Sequence, residues 1–125
     1  LSFKDKGLAG LVISNTTIAR PPGLKSAEAA EAGGLSGQPL FEPSTAVLKA
    51  FANRLQGRML LVGAGGVSNG AQAYDKIKAG ATLVQLYSAL VYGGPSLIRK
   101  ITDELAALAA KDGLSSICEA IGQDL

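Results

Sequence analysis

The apolar positions of this chain follow two spacings in alternation. Residues 9–16, AGLVISNT, form a continuous apolar run rich in β-branched residues and ending in small polar ones, the pattern of a strand buried on both faces. RMLLVGAGG (58–66), with its strand ending near Val62 or Gly63, and ATLVQLYSAL (81–90) repeat the form. Between them the spacing becomes helical. Ser44 is expected to cap a helix with Val47, Leu48, Phe51 and Leu55 on one stripe, stopped by Gly57. AQAYDKIKAG (71–80) reads as a short helix linking the second and third strands. A long helix begins at Pro95, turns Leu97, Ile98, Ile101, Leu105 and Leu108 inward and stops near Gly113, before a last small turn or helix, SSICEAIG (115–122). Repeated strand-then-helix units predict an α/β fold with a parallel sheet.

Three such strands do not make a closed structure. Each outer strand would present a row of unpaired backbone groups, and strands that read as buried on both faces cannot stand at a bare edge. The chain is therefore expected to be one part of a larger sheet or barrel. Between the first strand and the Ser44 helix lies a polar, Gly/Pro-rich stretch, residues 20–43, containing GGLSGQPL. Connections this long inside compact domains are usually lids or binding loops, the alternative being a tolerated surface insertion.

Composition removes several classes of chemistry. With 47% hydrophobic and 18% charged residues over 125 positions the chain should be globular. A formal charge of +2, with no polybasic run, gives no footprint for nucleic acid or an anionic membrane surface. There is no histidine and one cysteine, Cys118, so a Cys/His metal cluster, a Ser-His-Asp triad and an internal disulfide are all excluded within this sequence. No apolar run reaches the roughly 18 residues of a membrane span, and LSFKDKG lacks the apolar core of a signal peptide. The expectation is a segment soluble by itself that begins in the middle of something longer.

The stretch MLLVGAGGVSNG (59–70) concentrates four glycines where a strand gives way to a helix. Gly65 and Gly66 fall in the turn, where glycine permits positive φ and lets a ligand approach backbone N–H groups. With a helix N-terminus adjacent, a phosphate is the natural guest; a tight turn with nothing bound is the alternative. A Rossmann fingerprint is a poor match, because Ser68 stands at the third glycine position and Leu83 where the ribose-binding acid belongs. No P-loop pattern occurs. The next unit ends in Tyr87 and Ser88, and in (β/α)8 barrels the loops after the seventh and eighth strands often grip a phosphate together.

Taken together, GLVISNTTIARP, EAGGLSGQPL, LLVGAGGVSNG and KIKAGATLVQLYSAL resemble the C-terminal half of a class 2, quinone-dependent dihydroorotate dehydrogenase, across nearly the whole chain. The resemblance implies the C-terminal portion, about the last three β/α units, of an FMN-binding (β/α)8 TIM barrel. It implies oxidation of dihydroorotate to orotate in pyrimidine synthesis, with electrons passed to a membrane quinone. On this basis Asn15 and Thr16 are expected to contact substrate; an amide offers both donors and acceptors to a pyrimidine edge. Ser14, Ser36, Gly37, Gly65, Gly66, Leu86, Tyr87 and Ser88 are expected to contact FMN, with Ser14 standing where threonine is frequent.

The resemblance also implies what lies elsewhere. The family's catalytic base, a serine in class 2, and the membrane-associating N-terminal region would precede this chain, so it contributes no catalytic residue and no metal ligand. The implied location is the cytoplasmic side of a bacterial inner membrane, or the mitochondrial inner membrane in a eukaryote, held there through the absent region. The class rests on Ala19-Arg20-Pro21, QPL and QLYS, since GGLSG also occurs in class 1. Rival readings are a class 1 enzyme, a dihydrouridine synthase, and a non-catalytic fragment that is inactive and flavin-free when isolated.

Overall fold

The computed structural model describes residues 7–125. The segment LSFKDKG, expected not to be a signal peptide, lies outside the described residues apart from Gly7. Three parallel strands lie side by side in chain order, β1 (Gly10–Ile13), β2 (Leu60–Ala64) and β3 (Leu83–Gln85). Helix α1 (Phe41–Leu55) joins β1 to β2, and α2 (Gly70–Lys78) joins β2 to β3. After β3 come α3 (Ser88–Gly93) and α4 (Ser96–Lys111). The expected parallel α/β order is observed.

Side chains alternate across a strand, so each strand offers one set to each face. Leu11, Ile13 and Leu61 turn to the helices, where Ile13 and Leu61 meet Leu48 and Ala52 of α1 together with Ala79 and Ala81. Val67, Ala73 and Ile101 form a second cluster between α2 and α4, and Tyr74, Ile77 and Ala120 a third. The Tyr74 hydroxyl donates to Asp112 Oδ2 at 2.8 Å, fastening α2 to the end of α4.

The opposite face of the sheet is uncovered among the described residues, so these residues by themselves do not complete the burial on both faces that the strands are read to need. Val12, Val62 and Leu83 lie in one register row, with Val12 59% and Leu83 60% exposed. These strands are apolar on both sides, but among the described residues only one side is covered. Apolar side chains on one face of a parallel sheet are what the interior of a closed barrel is filled with.

Several boundaries also move. β1 ends at Ile13, short of the expected residue 16, because Ser14 to Thr16 satisfy one another locally instead of extending the ladder. β2 runs on to Ala64. Ser44 does not cap α1; the helix starts at Phe41, fed by a 3-10 turn at Gln38–Leu40, and the Ser44 hydroxyl turns inward. The inner stripe of α1 is Ser44, Leu48, Ala52 and Leu55, leaving Val47 and Phe51 exposed. The apolar run after β3 breaks into helix α3, and Ile98 of α4 faces outward. The last element is a 3-10 turn, Ile117–Ala120.

Helix α2 has the side-chain cap that α1 lacks. Asn69 is extended and its Oδ1 accepts from Gln72 N at 2.9 Å. Asn69→Ala should lower stability by about 1 kcal/mol, measured by denaturant unfolding.

Candidate functional site

The site assembles at the C-terminal ends of the three strands. After β1, Asn15 Oδ1 accepts from Thr16 N at 2.8 Å, which fixes its amide beside the chain. Thr17 and Leu35 then exchange backbone hydrogen bonds at 3.1 and 2.7 Å, so the two ends of the loop between β1 and α1 are drawn together. Gly34 fits only because it lacks a side chain, since a Cβ there would collide with Thr16.

Arg20 organises the interior of this loop. Its Nε donates to Ala29 O at 3.0 Å, and one terminal nitrogen donates to Glu31 O at 2.7 Å and Gly33 O at 2.8 Å. The long stretch is therefore a folded flap with a defined tip. That tip, Ser36 to Gln38, reaches the other two strand ends: Ser36 Oγ lies 2.9 Å from Ser88 Oγ, and Gln38 Nε2 donates to Ser68 Oγ at 3.0 Å.

After β2 the chain turns through Gly65 (φ 101°) and Gly66 (φ 76°), both in the region that disfavours side chains. Gly66 also packs directly on the Phe41 backbone, and a Cβ on Gly65 would approach Leu40 Cδ2 and Ser44 Oγ to 2.9 Å. The expectation that the α2 N-terminus offers free donors is corrected. Gly70 N is bonded to Glu104 Oε2 at 2.5 Å, Gln72 N to Asn69, and Ser68 N to Gln72 Oε1 at 2.9 Å. The open donors lie one step earlier and on the neighbouring unit. The N–H groups of Gly66, Val67, Ser88 and Ala89 have no hydrogen-bond partner among the described residues.

Behind the turn sits Lys76, fully buried. Its Nζ donates to Ser44 Oγ at 2.6 Å and lies 3.4 Å from Ala64 O and 5.3 Å from the centre of the Phe41 ring. Ser44 Oγ in turn lies 3.0 Å from Phe41 O and 3.1 Å from Gly65 O, either of which can take its one proton. Burial lowers the Lys76 pKa to about 8, against a weaker upward pull from Glu42.

A cavity of about 550 Å³ occupies the space between these loops. Ser14, Asn15, Thr16, Ser36, Gly37, Gly65, Gly66, Leu86, Tyr87 and Ser88 all line it, so the residues singled out in the sequence converge on one place. Gln38, Ser68, Gln85 and Tyr92 line it as well without having been expected to, although Gln38, Ser68 and Gln85 fall within the quoted motifs GGLSGQPL, LLVGAGGVSNG and QLYS. Its lining contains no carboxylate and no basic side chain. Backbone N–H groups, hydroxyls and amides among apolar side chains suit a ligand with an apolar body, polar edges and an anionic end. No group of three potential metal ligands occurs among the described residues.

Residues 2–108 match the dihydroorotate dehydrogenase family. The chain belongs to that family. It is 52% identical to the dihydroorotate dehydrogenase (quinone) of Azorhizobium caulinodans over 97% of its own length and 34% of that protein. It is 55% identical to the mitochondrial dihydroorotate dehydrogenase (quinone) of Oryza sativa subsp. japonica over 94% of its length and 25% of that protein. Among solved structures, DHODH from Eimeria tenella in complex with ferulenol superposes with a TM-score of 0.92 at 38% identity, covering 97% of this chain and 32% of that one. The chain thus spans about a third of the bacterial dihydroorotate dehydrogenase, and a quarter of the rice one. Among the described residues of this dihydroorotate dehydrogenase segment, no helix is long and apolar enough to cross a membrane.

Proposed function

We propose that these residues form the C-terminal three β/α units of an FMN-binding (β/α)8 barrel, as a single partial domain. The complete enzyme would oxidise dihydroorotate to orotate with a quinone as acceptor, in pyrimidine synthesis. The observation that carries this reading is the joint placement of the Gly65–Gly66 turn, the Tyr87–Ser88 start of α3 and the Ser36–Gly37 flap around one cavity. Its donor set fits FMN. Unpartnered N–H groups of Gly66 and Ser88 suit the 5′-phosphate, and Leu86 and the Ser14 and Ser36 hydroxyls would hold the rest of the cofactor.

FMN, when bound, supplies the hydride acceptor. The chain's own residues bind and orient. Asn15 and Thr16 would fix the substrate's polar edge, the flap held by Ser36 and Gln38 would exclude water, and no residue here acts as the base that removes the substrate proton. That base, and the region that reaches membrane and quinone at the bacterial or mitochondrial inner membrane, belong to sequence outside these residues.

The test is an acceptor assay on the complete enzyme containing this chain, comparing a soluble quinone with fumarate and NAD. Faster dihydroorotate oxidation with quinone is expected. Preference for fumarate or NAD would move the protein to class 1. The bare apolar face of the sheet favours a second statement about the isolated 125-residue chain: without the remaining strands it should carry no flavin absorbance and no activity.

A further inference from the structure

We infer that Lys76 supplies, from inside the core, the positive charge for the anionic end of this cavity, acting on a bound phosphate through the Gly65–Gly66 turn without touching it. This rests on the cofactor reading above and concerns a residue which that reading does not use.

The cavity lining offers dipoles but no cation. Lys76 is the basic group placed directly behind the lining, one hydrogen bond from Ala64 and two, through Ser44, from Gly65. It forms none of the ion pairs observed among the described residues. Burying an ammonium among neutral partners is costly, and a methionine would fill the same space more cheaply. The cost is offset when an anion sits across the turn. The field of a buried charge is screened weakly by water and salt, so it acts through the turn in a way that a surface lysine would not.

The charged surroundings are few. From α1, Glu42 favours the ammonium, while the Phe41 ring face lies over it. The three strands carry no titratable residue. On α4, Glu104 is bonded to Gly70 N and paired with Lys100; on α2 itself, Asp75 is paired with Lys78. A bound anion favours the protonated amine and raises its pKa. Anion affinity is therefore full below about pH 8 and falls as pH rises from the ligand-free value of about 8 through the higher ligand-bound one. The phosphate's own second ionisation, near ~6, is complete before that window.

The experiment uses the complete flavoprotein stripped of cofactor, titrated with FMN and with riboflavin by fluorescence quenching. Lys76→Met should weaken FMN roughly tenfold, equivalent to about 1.4 kcal/mol, and leave riboflavin unchanged. The wild-type preference for FMN over riboflavin should decline above about pH 8, and that decline should vanish in Lys76→Met. Equal loss of both flavins, or an unchanged preference, overturns the inference. Where the variant does not fold, the wild-type pH profile decides alone: a flat FMN-to-riboflavin ratio overturns it. Wild-type protein that binds neither flavin overturns the cofactor reading itself.

Discussion

Gly66→Val in the complete enzyme should abolish stable flavin binding, with the ratio of flavin to protein absorbance after purification falling at least about tenfold. Two effects act together. At φ 76° a β-branched residue is strained by roughly 1–2 kcal/mol. Its Cβ would also run into the Phe41 backbone, which is the start of α1 and cannot shift without moving the helix. The chain must therefore rotate the turn, and the Gly66 and Val67 N–H groups move with it. Full flavin content in the variant would show that the turn is not the phosphate cradle.

Asn15→Ala should give a different signature: turnover of dihydroorotate reduced on the order of 100-fold, with flavin content near that of wild type. The side chain lies just past the end of β1 and lines the cavity, and among the described residues it bonds only to the adjacent Thr16 backbone and hydroxyl. Removing it leaves the glycine turn and the flap contacts in place. Parallel loss of flavin and turnover would assign Asn15 to holding the cofactor instead.

The places of these two residues beside one cavity are readable from sequence for different reasons. A glycine pair between an apolar run and a helix announces a turn with positive φ, whatever surrounds it. Asn15 was visible only through the resemblance, since an Asn-Thr pair after a strand has no distinctive chemistry alone. The strand order was readable because parallel strands are nearly continuous apolar runs. Which face each would bury was not, since both faces are apolar and one is uncovered here.

The errors have equally local causes. Ser44 is a good cap by residue type, but its partner is Lys76, 32 positions away, and no pattern within α1 reveals that pairing. The pattern places Val47 and Phe51 on an inner stripe because α1 is apolar on two sides, and the small residues Ser44 and Ala52 that pack inward carry little hydrophobic signal. Helix α3 was hidden because SALVYG continues the apolar run of β3 without a break. The flap contacts Ser36 to Ser88 and Gln38 to Ser68 join residues 52 and 30 positions apart, which spacing alone cannot foresee.

Arg20 leaves a consequence for how this loop tolerates change. It grips Ala29, Glu31 and Gly33 entirely through their carbonyl oxygens, groups that every residue type provides. The flap's shape is thereby separated from the side chains along it. A mutational scan can alter positions 29 and 31 freely while Arg20 stays irreplaceable, because lysine has no planar fork to divide among three carbonyls.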